Sequence, residues 1–354
     1  MFVCNISGSV PQVVTTSATP PYLSDIRAQP DALARLLQNG LSRECRQLLT
    51  RMKQFDRIVL TGMGSSLQGC WPLYLRLAEA GLPVWWVETA ELLGPAGGLL
   101  TPRTLLWIVS QSGASAEVAA LLAQLPVPRP QVLGTTNDTA STLAQSADAV
   151  LELHSGAEHT VSTKSYVNTL AALALAGDVI TDATPEPELQ RAPNGLAEYL
   201  TDWPAHQAAL DAAVPEKTIF VLGRGASLAA ANTGALIIKE AAKHPVEGMS
   251  APQFRHGPLE LARPGIAVVL LAGSPAHHAN NQALFHDIGG AGANAIWLAA
   301  DAPGEPHRLP VLGGSTGRTI AEILPLQVLS VVLADRAGLE PGAFQRIGKV
   351  TQQL

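Results

Sequence analysis

The sequence predicts an α/β protein built from two tandem, doubly wound parallel sheets. Short apolar segments alternate with helical segments along most of the chain, which is typical of parallel strands joined by helical crossovers. One signature, an apolar strand followed by a Gly-x-Gly turn and a helix, occurs twice, at residues 62–66 and 223–227. The length of 354 residues also suits two domains of roughly 150 residues better than one.

The first half is predicted to begin with two helices and to contain five strands. Helical periodicity begins at Tyr22, with Pro30 in a first turn, and a second helix covers residues 43–55. The predicted strands cover residues 58–60, 84–87, 105–109, 132–136 and 149–153. Later helices are expected to end near residues 80 and 125 and to cover residues 160–179.

The second half repeats this pattern after a proline-containing segment. Residues 181–194 hold three prolines and several acids, and form the best linker candidate. Strands are predicted at residues 219–222, 266–271 and 295–298, with helices at 196–214, 227–243, 276–288 and 320–335. The predicted organisation is an N-terminal irregular segment and helix (1–44), a first domain (45–185), a second domain (186–335) and a C-terminal tail that closes the active site (336–354).

Composition excludes several classes of protein. Hydrophobic residues make up 47% and charged residues 15%, so large cores can be buried. The net charge of −6 lacks the positive excess that is typical of nucleic-acid-binding proteins. Three dispersed cysteines imply no disulfide framework. We find no signal peptide and no uninterrupted apolar run of about 18 residues, so we expect a cytoplasmic protein without a membrane span. The nine histidines show no metal-ligand spacing, so no metal is predicted.

The two Gly-x-Gly turns are candidate anion sites. A strand, a glycine turn and a helix N-terminus direct free N–H groups at a ligand. Dinucleotide binding is one alternative, but Leu67 and Leu228 stand where the fingerprint needs its third glycine. Ser65 and Ser66 follow the first turn and suit a phosphate monoester. The other alternative is a tight turn with an N-cap serine.

Two further polar segments follow strands of the first half. The segment Ser110-Gln111-Ser112-Gly113-Ala114-Ser115 gathers three hydroxyls, an amide and free N–H groups, about what the oxygens of a phosphate monoester need. The alternative is a helix-capping box. Ser162 and Lys164 open another helix and could add a hydroxyl and an ammonium to the same pocket, or form an ordinary polar helix start.

Three residues of the second half and the tail offer acid–base chemistry. Glu240 lies among Ala and Ile residues of a helix, which is costly for a carboxylate without a partner or a task. The alternative is a carboxylate that is solvated or paired with Lys239 or Lys243. His256 precedes Gly-Pro and should sit in a stiff loop. Lys349 lies in a tail whose apolar residues suggest that it docks.

Together these residues resemble the SIS (sugar isomerase) family, in particular the isomerase half of glucosamine-6-phosphate synthase and its two-domain relatives. The likeness covers the chain from about residue 23 onward and implies flavodoxin-like domains. It rests on Gly62-Met63-Gly64-Ser65-Ser66, Ser110 to Ser115, Ser162-Thr163-Lys164, residues 234–240, Arg255-His256-Gly257-Pro258-Leu259 and Lys349-Val350-Thr351.

The resemblance implies a cofactor-free phosphosugar isomerase or deaminase that transfers a proton between C1 and C2 of a hexose-type 6-phosphate. Glu240 would carry the proton, His256 would open the sugar ring, often from the partner subunit of a homodimer, and Lys349 would close over the substrate. The implied phosphate-binding residues are Ser65, Ser66, Ser110, Gln111, Ser112 and Ser115, with Gly64, Ser162 and Lys164 as further contacts.

Two positions depart from the family pattern. Thr233 stands where a second acid is usual, and residues 237–240 read Ile-Ile-Lys-Glu instead of Lys-x-Lys-Glu. The resemblance therefore leaves the substrate at C1 and C2 open. The alternative function is a non-catalytic sugar-phosphate-binding regulator, because some SIS domains only bind and regulate, and a nucleotide-dependent oxidoreductase is a third. Glutamine-dependent amidation is not expected, because no glutaminase half precedes the first sheet.

Overall fold

The computed structural model describes residues 19–215, 218–300, 312 and 314–353. Most of the predicted N-terminal irregular segment, including Cys4, lies outside these residues. The chain forms two parallel sheets flanked by helices, which confirms the predicted fold class.

The first sheet has the strand order β2-β1-β3-β4-β5, the flavodoxin-like order. Its strands are β1 (Arg57–Gly62), β2 (Val84–Glu88), β3 (Thr104–Val109), β4 (Gln131–Thr136) and β5 (Ala149–Glu152). All pair in parallel, with β1 between β2 and β3. β3 is buried at every position, as expected for a central strand covered on both faces.

The first half is helical where the sequence predicts it, although the second predicted helix ends at Leu49 and two short helices, after β2 and after β4, were not predicted. The helices are α1 (Pro21–Arg27), α2 (Gln29–Asn39), α3 (Arg43–Leu49), α4 (Gly64–Gly69), α5 (Trp71–Glu79), α6 (Thr89–Leu92), α7 (Ala116–Ala123), α8 (Thr142–Ser146) and α9 (Lys164–Thr181). Pro30 lies in the first turn of α2, as predicted, where its missing N–H costs nothing.

The linker prediction is wrong in extent. Residues 187–201 form the helix α10 (Pro187–Thr201), so only a few residues separate it from the end of α9. Pro187 is tolerated at the first helical position, and Pro193 lies inside the helix, where it removes one hydrogen bond. The apolar positions Leu189, Ala192 and Leu196 are fully buried, and this burial outweighs the proline's cost.

The second sheet has the order β7-β6-β8-β9 and repeats the first without its last strand. Its strands are β6 (Thr218–Gly223), β7 (Val246–Ser250), β8 (Ile266–Leu271) and β9 (Asn294–Leu298). Its helices are α11 (Trp203–Ala213), α12 (Leu228–Ala242), α13 (Ala251–Phe254), α14 (His278–Gly290), α15 (Ser315–Ala321) and α16 (Ile323–Arg336). The strand β7 was missing from the prediction.

One core joins the two halves. Helices α9, α12 and α16 contribute fully buried side chains to a single hydrophobic cluster that includes strand residues of both sheets. The stretch Thr316–Arg336 is long and apolar enough to cross a membrane by length and composition, but 94% of its most apolar window is buried inside the protein. We therefore interpret it as a core helix.

Candidate functional site

The first Gly-x-Gly turn is forced by close backbone contacts. A Cβ placed on Gly62 would lie 2.8 Å from the Val109 carbonyl oxygen, and Gly64 has φ of +50°, a conformation that disfavours other residues. The turn therefore lies against the end of β3. Ser65 and Ser66 are half-buried at the start of α4, and the described residues offer neither hydroxyl a hydrogen bond. Both hydroxyls remain available to a ligand.

The segment after β3 folds into a tight loop beside that turn. Gly113 donates its N–H to the Ser110 hydroxyl at 3.1 Å, and Ala114 donates to the Ser112 hydroxyl at 3.3 Å. A side chain on Gly113 would meet Ser141 Oγ at 2.1 Å, so the loop admits no Cβ there. Ser115 holds the N-cap position of α7 but makes no side-chain capping bond. Ser115 therefore does not act as a side-chain cap of α7, which was the alternative prediction for its hydroxyl.

The C-terminal tail docks on this loop. Ala116, the first residue of α7, donates its N–H to the Thr351 carbonyl oxygen at 3.0 Å. The same tail contacts the second half, where Gly342 donates to the Ala241 carbonyl at 3.2 Å. A side chain on Gly342 would lie 2.6 Å from Cβ of Tyr22, so the tail passes close to α1. The structure therefore confirms that the tail docks, as its apolar residues predicted.

Glu158 is the residue that the sequence analysis did not single out. Its carboxylate is fully buried and accepts bonds from the N–H and hydroxyl of Thr163, from the N–H and hydroxyl of Ser165, and from Lys349, all between 2.6 and 3.0 Å. Ser162, predicted to bind substrate, shares a 3.0 Å hydrogen bond with Ser165. Glu158 thus organises the loop that precedes α9.

The two lysines predicted at the site have different surroundings. Lys349 Nζ lies 2.6 Å from the Glu158 carboxylate and 2.5 Å from the Thr160 carbonyl oxygen, with about a quarter of its side chain exposed. Lys164 is buried, 2.9 Å from Asp25, and donates to the Ala157 carbonyl. The Lys164 ammonium is therefore engaged inside the protein, whereas Lys349, although also bonded, remains partly exposed.

Glu240 reaches this region from the second half. Burial raises the pKa of the half-buried Glu240 carboxyl, the nearby charges of Lys349, Lys243 and Lys239 lower it, and Glu158 raises it further. The alternative of pairing with a neighbouring lysine is not the observed arrangement, because Lys243 Nζ binds the backbone carbonyls of Glu240 and Ala343.

Helix α12, which carries Glu240, packs against the first turn. A Cβ on Gly64 would lie 3.4 Å from Cδ2 of Leu236, and Asn232 donates to the Gln68 side chain at 2.9 Å. Thr233, at the position of the missing second acid, is fully buried and faces the buried Tyr166 hydroxyl. The departure from the family pattern therefore lies in the core between the halves.

His256 is not brought into this cluster. It lies in the predicted loop, between α13 and a 3₁₀ turn at Pro258–Leu261, and is exposed. Its neighbour Arg255 forms a 2.6 Å ion pair with Asp287. Among the described residues, no side-chain hydrogen bond or ion pair involves His256, which leaves its ring accessible from outside.

The second Gly-x-Gly turn has the same backbone but other surroundings. Gly225 has φ of +58°, and its carbonyl accepts a 2.9 Å bond from Nε1 of Trp71. Ser227 makes no capping bond and instead donates to the fully buried Glu322 carboxyl at 2.8 Å. Burial raises the pKa of Glu322 to about 7, although Ser227 and Arg318 lower it in part. In this turn the serine hydroxyl is therefore already bonded to a carboxyl of the protein itself.

Comparison with known proteins gives matches over most of the chain. The sequence model of the SIS domain matches residues 52–177 and 214–298. A glutamine–fructose-6-phosphate aminotransferase (isomerizing) of Pyrococcus horikoshii is 29% identical over 345 residues, covering 92% of this chain but 56% of the relative. The chain therefore spans about half the length of the curated relatives it matches.

Solved structures match in fold. The glucosamine-6-phosphate deaminase of Thermotoga maritima superposes with a TM-score of 0.77 at 19% identity, covering 94% of this chain and 100% of that one. The tagatose-6-phosphate ketose/aldose isomerase of Escherichia coli gives 0.77 at 23% identity, covering 94% and 98%.

Proposed function

We propose that this chain, which belongs to the SIS domain family, is a cofactor-free enzyme that isomerises or deaminates a hexose-type sugar 6-phosphate. The reaction would transfer a proton between C1 and C2 of the open-chain sugar. The names of the similar aminotransferase, deaminase and isomerase support this substrate class. The particular amino or keto sugar, and the choice between isomerisation, deamination and deglycation, depend on the group at C1 or C2.

One observation carries the proposal: the tail connects the serine loop of the first half to the surroundings of Glu240. Thr351 is bonded to the start of α7, and Lys349 of the same tail is close enough to Glu240 to lower its pKa. An anion-binding loop and a partly buried carboxyl therefore flank one segment of chain. This arrangement supports a substrate with a phosphate at one end and a reactive carbon at the other.

The chemistry assigns a task to each group. Phosphate binding by hydroxyls and N–H groups would fix the distant end of the sugar and position C1 and C2. Glu240, as a carboxylate, would accept the proton from one carbon and return it to the other, and a raised pKa makes it a stronger base than an ordinary carboxylate. The phosphate ligands we propose are Ser65, Ser66, Ser110, Gln111, Ser112 and Ser115, with Gly64 and Ser162 nearby.

His256 and Lys349 complete the proposal. Lys349, fixed by Glu158, would cover the open-chain sugar. The exposed ring of His256 suits a role in the site of a second copy, so we propose a homodimer with shared active sites. A cytoplasmic location belongs to the same proposal.

The test is turnover of a panel of aldose, ketose, amino-sugar and fructosamine 6-phosphates, read by NMR of the products. We expect one class to be turned over, and Glu240→Gln to reduce the rate by about 10³-fold. The exposed Glu247→Gln, five residues after α12, is the matched control and should keep full activity. Absence of turnover across the panel with saturable binding would favour the regulatory protein instead.

A further inference from the structure

By its strand order, the second half has a crevice position equivalent to that of the serine loops. In the first sheet, the segments after β1 and β3 meet where the strand order reverses, and in the second sheet the segments after β6 and β8 do so. Ligands of doubly wound sheets bind in this crevice at the carboxyl ends of the strands. The segments after β6 and β8 bring Arg224, Gly225, Ser274 and His277 to this place.

The Arg224 side chain is held in place through one of its three guanidinium nitrogens. Its Nε donates to the side-chain oxygen of Asn281 at 3.1 Å. Asn281 is fully buried and donates to the Ala272 carbonyl at 2.9 Å, so it is held rigidly. Among the described residues, the two terminal nitrogens of Arg224 have no carboxylate partner, and they remain able to form a bidentate fork.

His277 faces the same space. A Cβ on Gly225 would lie 2.7 Å from Cε1 of His277, so the imidazole lies against the glycine turn. Its Nδ1 is 3.1 Å from the Ser274 hydroxyl. Burial and the charge of Arg224 both lower the pKa of His277. Two groups that can carry positive charge therefore lie side by side, and no ion pair to either is found in the described part of the chain.

An acid beneath the second glycine turn is buried inside the protein. Glu322 is fully buried beneath the turn, bonded to the Ser227 hydroxyl, and burial keeps a large part of it neutral near pH 7. A Cβ on Gly273 would lie 3.3 Å from Ser227 Oγ, so this serine and glycine separate the acid from the open side. An incoming anion would therefore meet the Arg224 guanidinium first, beside the imidazole of His277.

We propose that this crevice binds the phosphate group of a small phosphorylated metabolite, as a second anion site apart from the serine loops. A guanidinium fork takes two phosphate oxygens, and imidazole and hydroxyl donors supply the remaining bonds. The start of α14, a helix of 13 residues directly after His277, adds the favourable end of its dipole. The site goes beyond the proposed reaction, because none of its residues takes part in it.

The bond from Trp71 gives the site a route to the first half. Trp71 Nε1 donates to the Gly225 carbonyl, and Trp71 opens α5 directly after α4, the helix that begins at Gly64. A ligand that moves the turn at Gly225 would therefore act on the helix that follows the first glycine turn.

The experiment titrates the protein with inorganic phosphate and follows the imidazole signals by NMR, against sodium chloride of matched ionic strength. His277→Gln identifies the His277 signal, and we expect phosphate to shift it saturably and to raise the pKa of His277. Arg224→Gln should weaken phosphate binding at this signal by about tenfold or more. The exposed Arg263→Gln is the charge-matched control and should change nothing.

Two outcomes overturn the proposal: no phosphate-specific shift of the His277 signal, or the same affinity in wild type and Arg224→Gln. If Arg224→Gln does not fold, Arg224→Lys keeps the charge but loses the fork and should still bind several-fold more weakly. The Ser110→Ala/Ser112→Ala double variant must retain the His277 response. Loss of the response there would assign the phosphate effect to the first half, whereas failure of the turnover assay alone leaves this site unaffected.

Discussion

The two Gly-x-Gly turns share a backbone and differ in what their side chains meet. Gly64 and Gly225 have φ of +50° and +58°, and the glycine two places earlier in each turn is pressed against backbone atoms. No group in the described part of the chain bonds the hydroxyls of Ser65 and Ser66, whereas the Ser227 hydroxyl donates to Glu322. The glycine pattern therefore predicts the turn. Whether its serine is available to a ligand depends on residues that are distant in sequence and reach the turn in space.

The largest expected effect concerns the acid beneath the second turn. Replacing Glu322 with Gln removes a carboxyl whose pKa is raised from 4.5 to about 7 by burial. The native state keeps this proton when the unfolded state has lost it, so wild-type stability falls as pH rises through that window. We expect Glu322→Gln to be more stable than wild type above pH 7 by about 3 kcal/mol, and nearly equal at acid pH.

Chemical denaturation at several pH values measures this difference. The exposed Glu260→Gln serves as the control and should show no pH-dependent gain. If Glu322→Gln is instead less stable than wild type at alkaline pH, the ionised carboxyl stabilises the second turn. That result would contradict the expected cost of ionising Glu322 in its buried position.

The next prediction compares how serines of the two halves affect KM. Ser110→Ala/Ser112→Ala should raise KM for the sugar phosphate by about 100-fold, since two hydrogen bonds to a charged phosphate at about 1.5 kcal/mol each contribute about 3 kcal/mol together. Ser227→Ala should leave KM nearly unchanged, because its hydroxyl is bonded to Glu322. Equal KM increases in both variants would break the proposed division between the halves.

A smaller effect is expected at the tail. Lys349→Met should reduce kcat/KM at neutral pH by roughly tenfold through lost positioning. Because Lys349 lowers the pKa of Glu240 against the effect of burial, its removal should also move the acid limb of the rate profile to higher pH. The exposed Lys53→Met, which is not among the charges that act on Glu240, is the matched control, and an acid limb that stays in place in Lys349→Met would contradict the proposed proximity.

The smallest effect compares the glycines themselves. Gly64→Ala and Gly225→Ala should each cost about 1 kcal/mol, because both glycines have positive φ. Gly225→Ala should cost more, since its methyl group would meet the His277 ring at 2.7 Å, whereas that of Gly64 would meet Leu236 at 3.4 Å. Thermal unfolding measures both, and His277→Ala should remove the excess cost at Gly225.

The sequence predicted most strands of the two sheets because their apolar runs are continuous and flanked by glycine turns. It missed β7, because Glu247 and Gly248 interrupt the pattern, and only an edge strand tolerates such residues. The linker prediction failed at Pro193, since local proline preference cannot register the tertiary burial of Leu189 and Leu196.

The candidate site was predictable only in its local parts. The glycine turns and the serine loop follow directly from local patterns, but the partners of the charged residues do not. Asp25 pairs with Lys164, and Glu158 with Lys349, across large separations in sequence that no periodicity reveals. Glu158 could have been suspected as an acid just before a Ser/Thr-rich helix start, although this signal alone also fits a capping role.

The bonds made by Lys349 and Thr351 have a consequence for synthesis of the protein. Both residues are translated after the two sheets, yet they attach to Glu158 and to the start of α7 in the first half. A nascent chain can therefore fold both sheets before Glu158 and the start of α7 acquire these two bonds. We expect the ability to process substrate to arise only once residue 351 has left the ribosome, so that partial products of translation are folded but inert.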